Sequence, residues 1–224
     1  MDALATNFFN LPVYREVFPY LLQGLLTTIW LSAIVIPLGL VGGLGLAIVA
    51  TQSSRRWMRI LVAVYIDFFR AFPPLVLLIF IYYGAPFLHL ELPKLLAVAI
   101  GFMLNNSSYY AEVIRAGILS VPRGQMEAGR STGLTAIQAL AHVVLPQAAR
   151  NCLPDLIGNS IEVIKLTTIA SVVALPELLR NARDAQSLLY NPSPIVFAAL
   201  MYVVLLWPLV RWLSRLEHRN VLAK

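Results

Sequence analysis

The chain has 224 residues, of which 59% are hydrophobic and only 12% are charged, and its formal net charge is +6. A soluble globular domain carries about 25% charged residues, so this composition indicates an integral membrane protein. The basic residues lie in short connecting segments, where they orient a membrane protein, and no nucleic-acid-binding motif is present. Cys152 is the only cysteine, which excludes a disulfide or a thiolate metal site within one chain.

Five apolar stretches are long enough to cross a bilayer, which requires about 20 residues. The predicted spans lie near residues 21–50, 71–90, 95–115, 156–175 and 190–210. The N-terminus lacks the basic residues that open a cleavable signal peptide. We therefore expect residues 1–224 to form a single all-α transmembrane domain, an integral membrane bundle of five helices.

The basic residues are unevenly divided between the two sides of a five-span protein. Ten lie after span 1, between spans 3 and 4, and in the C-terminal tail, whereas four lie on the other side. Short loops rich in Lys and Arg stay in the cytoplasm. This asymmetry predicts an external N-terminus and a cytoplasmic C-terminus, and it places residues 122–154 in the cytoplasm.

The segment 122–154 combines polar residues with apolar positions that recur three or four residues apart, as on one face of a helix. These apolar positions are Leu134, Ile137, Leu140, Ala141 and Val144. Pro146 and Pro154 are expected to interrupt the helical pattern. One interpretation of the segment is an amphipathic helix that lies on the lipid surface.

The same segment also contains a motif with a long and specific spacing. It runs Glu127-Ala128-Gly129, three residues, Gly133, nine residues, Val143, one residue, and Leu145-Pro146. This resembles the EAA loop of ABC-importer permeases, whose usual form is Glu-Ala-Ala, three residues, Gly, nine residues, Ile, one residue, Leu-Pro. The departures are Gly129 for the second Ala and Val143 for Ile.

Four further stretches resemble the polar amino-acid branch of these permeases, which includes histidine, glutamine and arginine permeases of the type I importer fold. They are DFFRAFPPLVLLIFIYYG, YYAEVIRAGILSVPRGQ, PQAARNCLPDL and KLTTIASVVALPELL. Leu166 departs from the pattern, because many members have Asp or Ser at this position. The resemblance covers roughly residues 20–218.

The resemblance implies a permease subunit that moves a polar amino acid, or a related compound, across a bacterial inner membrane. The implied partners are a cytoplasmic ABC ATPase dimer, an amino-acid-binding protein outside, a second permease subunit that is identical or homologous, and membrane lipid. No G-x-x-x-x-G-K-[ST] phosphate loop occurs in the chain. We therefore expect no enzyme activity and no cofactor in this chain, with ATP and Mg²⁺ bound by the partner ATPase.

In this family the EAA loop forms a short coupling helix that docks on the ATPase. The matching residues here are Glu127, Ala128, Gly129, Gly133, Leu145 and Pro146. On one helix Gly129 and Gly133 would share a face that another surface could approach closely. Glu127 would stand near the positive end of the helix dipole. The alternative is that Glu127 only caps the helix and the glycines only allow a turn.

Polar residues within the spans are candidates for a translocation path, because such groups usually face a cavity or one another. The candidates are Asn105, Asn106, Ser107, Asn159, Glu162 and Thr167. For the residues 105–108, which cover all sides of one helical turn, the alternative is interhelical hydrogen bonding. Glu162 either contacts the ammonium or a cationic side chain of the substrate, or only neutralises Lys165.

Other polar residues are assigned structural roles. Glu112 and Arg115 are three residues apart and are expected to form a local ion pair. Arg70 and Pro73 match an Arg-x-x-Pro element of the family, and we expect a bend there because proline removes helical hydrogen bonds. The histidines lie in separate segments, so no metal site is predicted.

Two other classes of function were weighed against the permease interpretation. A secondary transporter driven by an ion gradient is disfavoured by an odd number of spans and by the absence of a visible repeat. A membrane anchor without transport activity would not need Asn105, Asn106 and Glu162 within its spans.

Overall fold

The computed structural model describes residues 7–222, with side chains described as far as Glu217. Within this range the chain is almost entirely helical and contains no β-strand, as the sequence predicts. The helices are α1 Leu11–Gln52, α2 Arg56–Ala71, α3 Pro74–Gly84, α4 Lys94–Leu119, α5 Arg123–Ser131, α6 Ala136–Ala139, α7 Leu145–Leu166, α8 Leu178–Leu189 and α9 Ser193–Leu222. A π-helical turn, Leu140–Val144, joins α6 to α7, and 3-10 helices occupy Ala85–Leu88 and Thr167–Val173.

Three described helical stretches are long and apolar enough to cross a membrane, and a fourth results if α2 and α3 form one broken span. The three are Leu11–Gln52, Ala136–Val173 and Ser193–Glu217. Helix α4 covers the predicted span 95–115 but is not among them, because its four consecutive polar residues at 105–108 lower its mean hydropathy. The count of five spans therefore stays a prediction.

The first two predicted spans differ from the helices that the structure forms. Helix α1 begins ten residues before the predicted residue 21, so the first helix is longer than the span. Span 2 is interrupted near its start, because α2 ends at Ala71 and α3 begins at Pro74. The predicted break at the proline pair is confirmed, since proline cannot donate a helical hydrogen bond but is well suited to the first position of a new helix.

Pro146 and Pro154 do not interrupt the helical structure, contrary to the expectation from the sequence. Pro146 is the second residue of α7 and follows the π-helical turn, whose wider spacing leaves room for its ring. Pro154 lies inside α7, which continues past it to Leu166. Helical structure therefore extends unbroken from Ala136 to Val173, and α7 starts well before the predicted residue 156.

The chain divides into two compact units, to both of which α1, α4 and α7 contribute residues. Unit 1 comprises Met1–Val35, Pro74–Phe102 and Ile161–Lys224, and unit 2 comprises Ile36–Pro73 and Met103–Ser160.

The core of unit 1 joins the first half of α1 to α8 and α9. Its buried residues are Val17, Leu21, Leu178, Ala182, Ala185 and Ala198. Gly24 allows the close approach of α1 and α8, because a Cβ at this position would lie 2.9 Å from the Cα of Leu178. Small residues at such crossings are typical of helix packing in membranes.

The core of unit 2 packs the second half of α1, the second half of α4 and the start of α7 together with the π-helical turn. Its buried residues are Ala47, Tyr110, Ile114, Ile118, Val121, Leu140, Val144 and Ala148. A Cβ on Gly43 would lie 2.6 Å from the Cβ of Tyr110, and Gly39 and Gly42 also face α4 closely. These three glycines therefore let α1 and α4 approach closely, whereas Gly45 has open space.

Candidate functional site

The EAA segment, defined here as residues 123–146 of unit 2, folds as two short helices and not as one. Gly133 has φ +93°, a left-handed conformation that glycine adopts without steric cost, and it follows the end of α5. Thr135 then caps α6: its hydroxyl accepts the Gln138 N–H at 3.3 Å, and its own N–H donates to Gln138 Oε1 at 2.9 Å. This reciprocal capping box makes a sharp new helix start.

The two motif glycines therefore do not share an exposed helix face, which corrects the prediction. Gly129 is buried within the segment, where a Cβ would lie 3.2 Å from Val143 Cγ2 and 3.3 Å from the Cβ of Ala139. Gly133 is open to its surroundings, and its backbone conformation makes the turn. Gly129 thus lets α5 pack on α6 and the π-helical turn, and Gly133 reverses the chain between them.

The remaining motif residues differ in exposure. Glu127 is exposed in the middle of α5, not at its positive end as predicted, and Ala128 beside it is exposed too. Leu145 packs partly buried against the core of unit 2, whereas Pro146 is exposed. Glu127, Ala128, Gly133 and Pro146 are accordingly available to a partner, and Gly129 and Leu145 shape the segment from inside.

The predicted apolar face of the segment is only partly formed. Leu140 and Val144 are buried in the core of unit 2, but Ala141 is exposed and Ile137 is 79% exposed. The π-helical turn changes the angular spacing along this stretch, so residues with α-helical spacing do not stay on one side. Ile137 is therefore an isolated apolar side chain on a polar surface, although the apolar periodicity placed it on the buried face.

The path candidates of α4 are buried in unit 2, where Asn105 and Ser107 make interhelical hydrogen bonds. The Asn105 side-chain amide donates to the Phe69 carbonyl of α2 at 2.8 Å. The Ser107 and Tyr65 hydroxyls lie 2.8 Å apart, and Tyr65 also donates to the Leu104 carbonyl. Asn106 is only 4% exposed. These contacts fit the structural alternative that the sequence left open for Asn105 and Ser107.

Asn159 lies on α7 in the same unit, near a second polar contact. The hydroxyls of Tyr110 and Ser160 are 2.8 Å apart, which joins α4 to α7. The Asn159 side-chain amide lies beside this contact, where it interacts with the Tyr110 hydroxyl and its buried Nδ2 atom lacks ideal hydrogen-bond geometry. Asn159 is therefore a path candidate whose amide is already engaged near Tyr110.

The other two path candidates belong to unit 1 and differ sharply from each other. Glu162 and Lys165 form the predicted ion pair at 2.5 Å, with their side chains 66% and 49% exposed respectively. Thr167 is completely buried, and its hydroxyl donates to the Ile164 carbonyl at 2.7 Å. Burial of Thr167 does not fit a residue that lines an open path, whereas Glu162 remains accessible.

The predicted ion pair between Glu112 and Arg115 is also present, with the side chains about one-third exposed. A cavity of about 290 Å³ lies elsewhere in unit 2. It is lined by Leu40, Val41, Leu44, Ile114, Leu145, Ala148, Ala149, Cys152 and Leu156. None of the path candidates lines it, and its apolar walls offer no partner for the charged groups of an amino acid.

Sequence reasoning missed a buried carboxylate in unit 1. Glu177 is 0% exposed and caps α8, where it accepts the N–H groups of Leu179 at 2.8 Å and Arg180 at 2.7 Å. The Tyr202 hydroxyl of α9 donates to it at 3.2 Å. Glu177 forms no salt bridge with a described side chain. The signal in the sequence was Pro-Glu immediately before a helix, where an acidic residue satisfies free N–H groups.

The same cluster connects α8 to α1. The Leu178 N–H donates to the Thr28 hydroxyl at 3.3 Å, and the Asn181 amide donates to the Tyr20 carbonyl at 2.8 Å. Burial raises the pKa of Glu177 to about 7, although the N–H groups of Leu179 and Arg180 oppose this shift. Glu177 therefore changes its charge near neutral pH in a place that water does not reach.

The comparisons with known proteins agree with this architecture. The family described as "Binding-protein-dependent transport system inner membrane component" matches residues 43–221. A probable amino-acid ABC transporter permease protein of Bacillus subtilis (strain 168), YckA, is 37% identical over 175 residues, which is 78% of this chain and 77% of YckA. The L-cystine transport system permease protein TcyB of the same strain is 34% identical and covers 92% of this chain and 87% of its own.

A solved structure shows the same fold. The crystal structure of an amino acid ABC transporter with histidines superposes with a TM-score of 0.82, at 34% identity, and the match covers 91% of this chain and 95% of that one. The family match and both relatives cover most of the sequence. The chain is therefore a membrane permease that belongs to the family of binding-protein-dependent transport system inner membrane components.

Proposed function

We propose that the chain is the transmembrane permease subunit of an ATP-binding-cassette importer that carries a polar amino acid or a related compound across the bacterial inner membrane. Relatives that cover most of the chain are named as amino-acid and L-cystine permeases, which supports this substrate class. The driving force comes from ATP hydrolysis in a cytoplasmic ABC ATPase dimer that binds ATP and Mg²⁺. An extracytoplasmic amino-acid-binding protein delivers the substrate, and a second permease subunit completes the pathway in the lipid bilayer.

The observation that carries the proposal is the preformed and polar EAA segment in an otherwise apolar chain. Its turn at Gly133 and its capping box at Thr135 hold a short helix pair without a partner. Its exposed groups, which include Glu127 and Ala128, face away from the core of unit 2. A cytoplasmic ATPase that docks on this surface can move the membrane helices, because α7 continues directly from the segment.

In this mechanism the six motif residues have two tasks. Glu127, Ala128, Gly133 and Pro146 contact the ATPase, while Gly129 and Leu145 hold the shape of the docking surface. Closure of the ATPase dimer on ATP binding displaces the segment, and the five membrane helices change from an inward-facing to an outward-facing arrangement. Such access changes by rigid-body motion are common in transporters that bind substrate near the middle of the membrane.

The path across the membrane is proposed to involve Asn105, Asn106, Ser107, Asn159, Glu162 and Thr167. Glu162 is the strongest of these, because a charged residue that is exposed on a membrane helix of one subunit needs water or another subunit beside it. Its carboxylate suits the ammonium or a cationic side chain of the substrate. Burial makes Asn105, Ser107 and Thr167 the weaker members, since their hydroxyl or amide groups already donate within the fold.

Replacing Gly133 with Leu tests the coupling role. A leucine at φ +93° is strained, so the turn between α5 and α6 changes and the docking surface is lost. We expect the variant to reach the membrane but to lose substrate-stimulated ATP hydrolysis and uptake in vesicles reconstituted with the ATPase and the binding protein. Gly45→Leu is the matched control, because Gly45 is also exposed with open space around it but lies in α1, outside the EAA segment. Full coupled activity of Gly133→Leu would refute the proposal.

The orientation of the chain is tested with reporter fusions. A fusion after Lys224 is expected to be active with a reporter that works in the cytoplasm and silent with one that works only outside. The reason is the excess of basic residues on the side that holds the EAA segment. The opposite pattern would put that segment outside, away from any ATPase, and would contradict the proposed function.

A further inference from the structure

The π-helical turn Leu140–Val144 lies at the junction between the EAA segment and α7. The Leu145 N–H donates to the Leu140 carbonyl, five residues back. Pro146 follows without an N–H, and its ring would collide with the carbonyl four residues earlier in a regular α-helix. The extra residue of the π turn relieves this collision, and it rotates the preceding segment by about 100° about the helix axis.

Val143 is the point at which this turn is held in place. Gln147 Nε2 donates to the Val143 carbonyl at 2.8 Å and to Gln125 Oε1 of α5 at 3.2 Å. The Val143 side chain meets Gly129, the buried glycine of α5. One side chain of α7 therefore bonds both to the π turn and to the helix that packs on it.

The rest of the turn is anchored in the core of unit 2. Leu140 and Val144 are each 4% exposed and lie in the same cluster as Ile114 and Ile118 of α4. Helices often kink at π-helical turns, so this turn is a natural point of bending. The two hydrogen bonds donated by Gln147 lie on the outer side of the turn, away from the core of unit 2.

We propose that Gln147 is a positioning residue that locks the π-helical turn and thereby sets the rotation of the EAA segment about α7. This inference rests on the proposed function. When the ATPase displaces the segment, the locked turn passes the displacement to α7 as a rigid movement, and an unlocked turn absorbs part of it by bending. Gln147 thus governs how much transport each hydrolysed ATP yields.

The test measures ATP hydrolysed per substrate transported, in vesicles that contain the permease, its cognate ATPase and the binding protein. Gln147→Leu removes both donated hydrogen bonds at nearly constant size. We expect the complex to assemble and hydrolyse ATP while the ratio rises about threefold to tenfold, the range that the loss of one or two hydrogen bonds allows. Gln147→Lys keeps a donor in place and is expected to restore a ratio near that of the wild type.

Asn151→Leu is the control, because it removes a 2.8 Å bond to the Ser120 hydroxyl one turn further along α7. An equal rise in this variant would mean general loosening of α7 and would overturn the inference. Gln125→Leu removes only the exposed contact to α5 and is expected to give a smaller rise, which keeps the test valid if Gln147→Leu does not fold. If the wild-type complex transports substrate but the Gln125 and Gln147 variants show unchanged ratios of ATP to substrate, the inference is overturned. A wild-type complex without ATP-driven transport would overturn the proposed function as well.

Discussion

Two carboxylates of unit 1 occupy opposite environments. Glu162 is 66% exposed and pairs with Lys165, whereas Glu177 is fully buried and accepts hydrogen bonds from N–H groups and a hydroxyl. An exposed pair that no other group of the subunit holds contributes little to the packing of the subunit and is free to exchange its partner for a ligand. A buried carboxylate with satisfied oxygens holds the elements that satisfy it. The difference predicts that Glu162 affects transport and Glu177 affects stability.

The largest effect is expected from Glu177→Ala. The change removes the cap of α8 and leaves two N–H groups and the Tyr202 hydroxyl without their acceptor, at a cost of about 4 kcal/mol. The thermal unfolding midpoint of the purified permease in detergent measures the loss. Glu91→Ala is the control, since Glu91 is an exposed carboxylate of the same unit. Equal midpoints for the two variants would remove the contrast between Glu177 and an exposed carboxylate.

The next effect is the pH dependence that Glu177 confers. Its folded-state pKa of about 7 lies above the ordinary value of 4.5, because burial disfavours the charged form. The folded chain therefore binds more protons than the unfolded chain between those values, and this contribution to stability is full below pH 4.5 and is lost as the pH rises to about 7. The decrease across this window is on the order of 3 kcal/mol.

Glu177→Gln isolates this contribution, because glutamine keeps an acceptor oxygen but does not titrate. The variant is expected to show a flatter stability profile than the wild type between pH 4.5 and 7. Melting curves recorded across that range provide the measurement. Identical slopes for the two proteins would show that Glu177 does not change its charge between pH 4.5 and 7. Burial would then not have shifted its pKa into this range.

The smallest effect concerns Glu162. The double variant Glu162→Gln with Lys165→Met removes both charges of the pair, so it is expected to fold at wild-type yield. If Glu162 contacts the substrate, the lost charge-assisted hydrogen bond weakens the apparent affinity by about one to two decades, or about 2 kcal/mol. The concentration dependence of ATP-driven uptake, at matched protein amount, measures this. Normal affinity and rate would leave Glu162 as a partner of Lys165 alone.

The exposure of this pair also changes what a single substitution should do. Glu162→Gln alone leaves Lys165 unpaired, which reduces folding yield where the lysine lies in a low-dielectric environment. Because the Lys165 side chain is 49% exposed, it is not enclosed in the packed interior of the subunit, and the yield of the single variant is expected to stay near that of the wild type. The charge pattern alone could not distinguish these two environments.

The EAA segment shows which structural features motif spacing can predict and which it cannot. The spacing located Gly129 and Gly133 correctly as special positions, because a motif reports which residues are needed. The shared exposed face expected for them is not formed: Gly129 packs against Ala139 and Val143, whereas Gly133 makes the turn that the sequence left open as the alternative. The packing of Gly129 depends on the π-helical turn through Val143, and an α-helical spacing rule cannot anticipate a turn with one extra residue.

Composition and motif determined the class of this protein. A low charge content, long apolar runs and a motif of fixed spacing are local properties of the chain, and they sufficed to predict a helical membrane permease of an import system. Tertiary packing decided which polar residues face inward. Asn105 and Glu177 are held by groups on other helices, at Phe69 and at Tyr202. Such long-range partners are not encoded by the neighbours of a residue, so burial and hydrogen bonding in this bundle emerge only when the helices meet.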